Sequence, residues 1–134
     1  MKPFFTILIL TLTIGNVSAQ FTKLLDFDGL TYGSSPNGLL ISDGTFLYGT
    51  TEFGGSGNNG TAFKILPDGT GFTRLINFNG ISNGRNPKGS LISDGIFLYG
   101  MTYGGGANNL GSLFKIMPNG TLYEKLVDFD GTTN

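Results

Sequence analysis

The sequence predicts an all-β fold: tandem four-stranded antiparallel, blade-like repeats of about 51 residues. Three observations carry that expectation. Shifting the chain by 51 places aligns it on itself without a gap, so that Phe21 falls on Phe72 (72 − 21 = 51) and then on Tyr123. Short apolar runs are separated by Asp-Gly, Pro-Asp-Gly and glycine-rich stretches, the residues that supply turn geometry. Beyond residue 19 no window shows a 3.6-residue apolar period, so helices are not expected.

The chain opens on a different pattern. Met1-Lys2 gives a positive start, and Phe4 to Ile14 is apolar apart from Thr. Gly15 to Ala19 are small or polar, with Val17-x-Ala19 fitting a signal peptidase site. Residues 1–19 therefore read as a secretory signal peptide cut after Ala19. The apolar stretch is too short for a membrane anchor, since about 30 Å of hydrocarbon needs roughly 20 helical residues.

Everything after Gln20 repeats. Leu24, Leu75 and Leu126 coincide under the shift, as do Phe27, Phe78 and Phe129. Ile41-Ser42-Asp43-Gly44 meets Ile92-Ser93-Asp94-Gly95, and Phe63-Lys64-Ile65 meets Phe114-Lys115-Ile116. The copies span 20–71 and 72–121, with the start of a third at 122–134. Nine strands are expected: 21–27, 38–42, 45–51 and 61–66 in the first copy, 72–78, 89–93, 96–102 and 112–117 in the second, and 122–129 in the third. Asp43-Gly44 and Asp94-Gly95 lie between apolar runs and signal hairpins. Runs such as Leu39-Leu40-Ile41 are continuous rather than alternating, as in strands covered on both faces. Four short strands in about 50 residues is the content of one propeller blade, so a partial β-propeller is expected.

Composition bounds the chemistry. The 134 residues include 23 Gly and 12 Phe, and 39% are hydrophobic, enough apolar material for a packed core. A net charge of −1 gives no electrostatic footprint for nucleic acid. Without Cys there is neither disulfide nor thiolate chemistry, and without His the commonest general base and transition-metal ligand are missing.

The string Leu47-Tyr48-Gly49-Thr50-Thr51, Gly54-Gly55, Gly60-Thr61-x-Phe63-Lys64-Ile65-x-Pro67-Asp68-Gly69-Thr70 resembles the repeat named for Gloeobacter and Verrucomicrobia, the GloVer repeat. The second copy carries the same string, with Met101 for the first Thr and Asn119 for Asp. The resemblance covers Phe21 to Asn134. It implies a bacterial secreted or cell-surface tandem-repeat protein, propeller-like, often with a separate C-terminal anchor, and it brings no catalytic residue. Kelch repeats share the period and a Gly-Gly doublet but normally bring a Trp, absent here.

Candidate sites are few. Asp26-Phe27-Asp28-Gly29 recurs as Asn77-Phe78-Asn79-Gly80 and Asp128-Phe129-Asp130-Gly131. Alternate carboxylates before Gly resemble the opening of a calcium loop. The middle copy has lost both charges, however, and no Glu follows at the twelfth loop position, so Asx turns are expected. The glycine stretches 54–60 and 104–111 lack the Lys-Ser/Thr of a phosphate loop. Tyr48 and Tyr99 have rings fit to stack on a sugar and are expected instead to pack between units. Ser42-Asp43 and Ser93-Asp94 have no base beside them. A catalytic site should stand out as an exception to the repeat, and the exceptions Glu52, Tyr32 and Arg85 form no evident triad or carboxylate pair. No catalytic, cofactor-binding or metal residue is assigned.

The functional expectation is a secreted or cell-surface module, not an enzyme, that presents loops to an extracellular protein or glycan. The alternative is a piece of a secreted propeller enzyme, a lyase or glycosidase, whose catalytic residues lie in blades outside this chain. Propellers close with 4–8 blades, so further repeats are expected. The plain reading is a truncated or fragmentary open reading frame that stops within its third copy; the rival readings are several short chains sharing one ring, or an open two-blade stack. An isolated two-blade chain is expected to be marginal as a monomer.

Overall fold

The structure is a computed structural model that describes residues 20–132. Eight strands form two four-stranded antiparallel meanders, and no helix occurs among the described residues. The first sheet comprises β1 (Ile41–Ser42), β2 (Leu47–Thr51), β3 (Thr61–Ile65) and β4 (Thr73–Asn77). The second comprises β5 (Ile92–Ser93), β6 (Leu98–Thr102), β7 (Ser112–Ile116) and β8 (Glu124–Asp128). Each strand of the second starts 51 residues after its counterpart (92 − 41 = 51). Even the irregularity repeats: the register slips between Ala62 and Phe63, and again between Leu113 and Phe114.

Turn chemistry fixes the meander. The Asp43 carboxylate accepts from the amides of Thr45 and Phe46, closing the β1–β2 hairpin, and Asp94 does the same with Ile96 and Phe97. Pro67-Asp68-Gly69 turns the chain between β3 and β4: the Leu66 amide donates to the Thr70 carbonyl at 2.9 Å, and Asp68 accepts from Thr70. These are short turns, and all lie at one edge of the stack. The opposite edge carries the long connections, 52–60, 78–91 and 103–111.

The structure corrects one expected strand and the grouping of the strands into units. Residues 21–27 form no strand. Their counterparts β4 and β8 pair with β3 and β7. The equivalent partner for 21–27 falls at 10–14 (61 − 51 and 65 − 51), outside the described residues, and among the described residues the segment joins no ladder. The run that opens the second copy, and the one that opens the third, thus closes the sheet of the copy before it. β4 belongs by sequence to the second copy, and β8 to the third. The expected signal peptide and its cut after Ala19 also lie outside the described residues.

The two sheets stack face to face. The first presents Tyr48, Ala62, Leu75 and Phe78, and the second receives them with Leu91, Leu98, Phe114 and Ile116, all buried. Phe78 meets Phe114 edge-on at 5.3 Å, and Phe114 stacks on Tyr123 at 5.7 Å. Gly100 lies under that ring: a Cβ there would sit 2.6 Å from Phe114 Cζ and 2.8 Å from Leu91 Cδ2. Gly49 is equally hemmed in by Phe63 and Leu40. These in-strand glycines make room for the aromatic plug of their own sheet.

Candidate functional site

The long-connection edge gathers the residues that break the repeat. Glu52 follows β2, and Tyr103 holds the same place after β6 (103 − 52 = 51). Asn37 and Lys88 are likewise equivalent (88 − 37 = 51). In each unit the two positions meet: Asn37 Nδ2 donates to Glu52 Oε2 at 2.7 Å, and Lys88 Nζ lies 4.3 Å from the centre of the Tyr103 ring. The units are then joined, because Lys88 Nζ reaches Glu52 Oε1 at 3.1 Å. The Asn86 side chain adds a bond to the Glu52 carbonyl, and its amide donates to Asn59. Both Glu52 oxygens are therefore engaged, and its side chain is only 14% exposed. Tyr103, in contrast, is 70% exposed. Beside it a shallow depression of about 370 Å³ is lined by Lys88, Met101, Tyr103, Leu110 and Phe129. Arg85 donates to Asn109 Oδ1 at 3.0 Å, which ties the connection before β5 to the glycine-rich loop after β6.

The edge is tied together by backbone bridges and side-chain hydrogen bonds. Backbone bridges link Ser34 to Phe53 and Arg85 to Gly104. The side chains of Asn58 and Asn109 accept from the amides of Gly54 and Gly105, pinning each glycine-rich loop to its own start.

The acidic pairs do not converge. Asp28 accepts from the amides of Thr31 and Tyr32, and Asp130 from Thr132. Asn79 accepts from Ser82 and Asn83. These are turn contacts, and the Tyr32 amide holds the Asp28 carboxyl below its ordinary range. Asp26 pairs with Lys23 and Asp128 with Lys125, on the strand side of each motif. Asn77 accepts from Arg74 and from the Ser56 amide. Among the described residues no cluster of three or more His, Cys, Asp or Glu could hold a metal ion.

Tyr48 lies in the core between the sheets, with its hydroxyl donating to Asp43 Oδ2 at 2.7 Å. Burial, reinforced by that carboxylate, pushes its phenol well above the ordinary range. Tyr99 makes the same bond to Asp94, which raises its phenol, but no third sheet covers it among the described residues. Ser42 and Ser93 each accept from the glycine amide of their hairpin, Gly44 or Gly95. Glu124 pairs with Lys115 where β7 and β8 meet the short-turn edge, whereas Glu52 lies at the long-connection edge. Tyr32 packs edge-on against Phe72. The cluster of Asn37, Glu52, Lys88 and Tyr103 was not assembled from the sequence, although Glu52 was visible there as an exception. Comparing position 37 with 88, and 52 with 103, is the signal that finds it.

These features define a tandem-repeat protein of blade-like four-stranded sheets. A family model for the Gloeobacter/Verrucomicrobia repeat matches residues 8–134, and the chain belongs to that family. No curated protein and no solved structure matches it.

Proposed function

We propose that this chain is an exported, non-catalytic repeat module that binds an extracellular protein or glycan with its long-connection edge, within an array of further repeats of the same kind. The observation that carries the proposal is the cluster at Glu52, Lys88 and Tyr103, where the two units differ. Residues identical in both units serve the scaffold. Here an exposed ring, a cation and a shallow apolar depression sit together on a pinned surface, a combination suited to a sugar face or an aromatic-rich protein patch. Glu52 supports the arrangement rather than reacting, because an ammonium and an amide occupy both its oxygens. The apolar opening of the chain supports export.

Screening the labelled chain against glycan and extracellular-protein arrays tests the reading. Tyr103→Ala and Lys88→Ala should each weaken the strongest hit by about tenfold, equivalent to about 1.4 kcal/mol. Ile96→Ala, at the short-turn edge, should leave it unchanged. Turnover of any arrayed polysaccharide would refute the non-catalytic reading, and equal loss from all three substitutions would refute this placement of the site.

A further inference from the structure

The chain carries a spare copy of each half of its own internal interface. The receiving half on the second sheet is Leu91, Leu98, Gly100, Phe114 and Ile116. The same residue types recur on the first sheet as Leu40, Leu47, Gly49, Phe63 and Ile65. The presenting half on the first sheet, Tyr48, Ala62 and Phe78, recurs on the second as Tyr99, Leu113 and Phe129, with Met101 in place of Thr50. The spare halves face outward at opposite ends of the stack. Among the described residues nothing covers the presenting one: Ile92 is 67% exposed and Met101 56%.

The receiving one is partly covered, and what covers it is informative. Residues 20–28 lie across the first sheet with no ladder bonds. Phe27 meets Phe63 edge-on at 5.6 Å, just as Phe78 meets Phe114 at 5.3 Å. A Cβ on Gly69 would sit 2.6 Å from the Leu24 carbonyl oxygen, and one on Gly120 3.1 Å from that of Leu75. The segment thus occupies the place that the fourth strand of another sheet would take. By sequence it also matches β8 and its flanks, with Phe21, Leu24 and Phe27 standing for Tyr123, Leu126 and Phe129 (123 − 21 = 102, twice 51). It fills that place poorly. A cavity of about 350 Å³ remains between it and the sheet, lined by Leu24, Phe27, Leu40, Leu47 and Phe63 among others.

We propose that a second copy of this chain docks head to tail, the outer face of its second sheet on the outer face of the first sheet, and that residues 20–28 compete with it for the same site. The internal interface supplies the geometry, and the receiving residues are of the same types. The incoming Met101 and Leu113 are larger than Thr50 and Ala62, and the cavity provides room for them; Met adapts readily to such a gap. The contact is heterologous, so it propagates into a ring or a filament. This inference goes beyond the ligand-binding reading, and the docking face of the second sheet shares Met101 and Phe129 with the depression beside Tyr103.

Sedimentation velocity over a wide concentration series tests it, using the chain from Gln20 and three variants. Met101→Lys alters a side chain exposed in the monomer, so the fold is retained, and it should abolish association. Phe27→Asp and the more exposed Leu24→Asp should each strengthen association by about tenfold by weakening the competitor; either suffices if the other fails to fold, as read by circular dichroism. Association that survives Met101→Lys overturns the docking surface. A wild type and cap variants that all stay monomeric overturn the docking itself. Association unchanged by the cap variants overturns the competition.

Discussion

Tyr48 and Tyr99 donate the same hydrogen bond to the same aspartate one unit apart, yet Tyr48 is 2% exposed and Tyr99 is partly open. The contrast runs through both sheets with opposite sign on the two faces. On the presenting face the first sheet is buried: Phe78 is 1% exposed and its twin Phe129 37%. On the receiving face the second sheet is buried: Leu91 is 1% exposed and its twin Leu40 52%. Strands of similar sequence thus acquire different energetic roles from their neighbours. In a stacked array, stability resides in unit terms plus interface terms, and one complete interface is present among the described residues.

The twins allow that reading to be broken residue by residue. The largest difference is expected at the aromatic plug. Phe78→Ala empties the interface and should cost about 3–5 kcal/mol, the range for a buried Phe truncation. Phe129→Ala should cost less than about 1 kcal/mol, since that ring is partly exposed already. Urea denaturation of both variants measures the gap, and equal losses would show that the sheets do not depend on each other.

The next effect is a backbone approach. A Cβ on Gly38 would stand 2.7 Å from the Gly89 carbonyl oxygen, whereas one on Gly89 meets nothing within 4 Å. Gly38→Ala should wedge the units apart and cost about 1–3 kcal/mol, as overpacking does. Gly89→Ala should stay within about 0.5 kcal/mol of wild type. Thermal melts of the pair decide whether the sheets approach as closely as the structure shows.

A smaller difference is expected at the tyrosines. Tyr48→Phe leaves a partly buried hydrogen bond unmade and should cost about 1 kcal/mol. Tyr99→Phe should be indistinguishable from wild type, because water replaces the lost partner.

The smallest effect is on acidification. The Phe46 amide, with Tyr48, holds Asp43 below its ordinary range, and the Phe97 amide does the same for Asp94. A carboxyl whose folded value is depressed adds stability above its unfolded value of 3.8, and that stability is lost as pH falls through the folded value. Melting temperature should therefore decline modestly below about pH 4. Asp43→Asn and Asp94→Asn together should flatten that part of the decline. A slope unchanged by the double substitution would place the acid-sensitive groups elsewhere.

Much of this architecture was legible because turn chemistry is local. Asp43-Gly44, Asp94-Gly95 and Pro67-Asp68-Gly69 announce their own hydrogen bonds, and eight expected strands fall close to their places. The ninth failed for a non-local reason. Residues 21–27 read like β4 and β8, but a strand forms only where a partner edge exists, and theirs falls outside the described residues. The grouping into sheets was hidden for the same reason: periodicity gives the length of a unit, not the point at which a sheet begins. The expectation that Tyr48 packs between units followed from its apolar setting. Tyr99, with an equivalent sequence setting, differs because no neighbouring sheet lies over it among the described residues. The Glu52–Lys88–Tyr103 cluster depends on positions 36 residues apart (88 − 52 = 36), brought together by stacking. No local pattern encodes that.

The central claim, that the burial of equivalent faces is set by the presence of a neighbour, can be tested directly because the chain contains no cysteine. Thiols introduced one at a time by Thr50→Cys, Met101→Cys, Leu91→Cys and Leu40→Cys can be timed with a thiol reagent at low protein concentration. The thiols from Thr50→Cys and Leu91→Cys should react slower than those from their twins by on the order of tenfold or more, because they wait on local opening of the interface. Equal rates within each pair would contradict the stacking of the first sheet on the second.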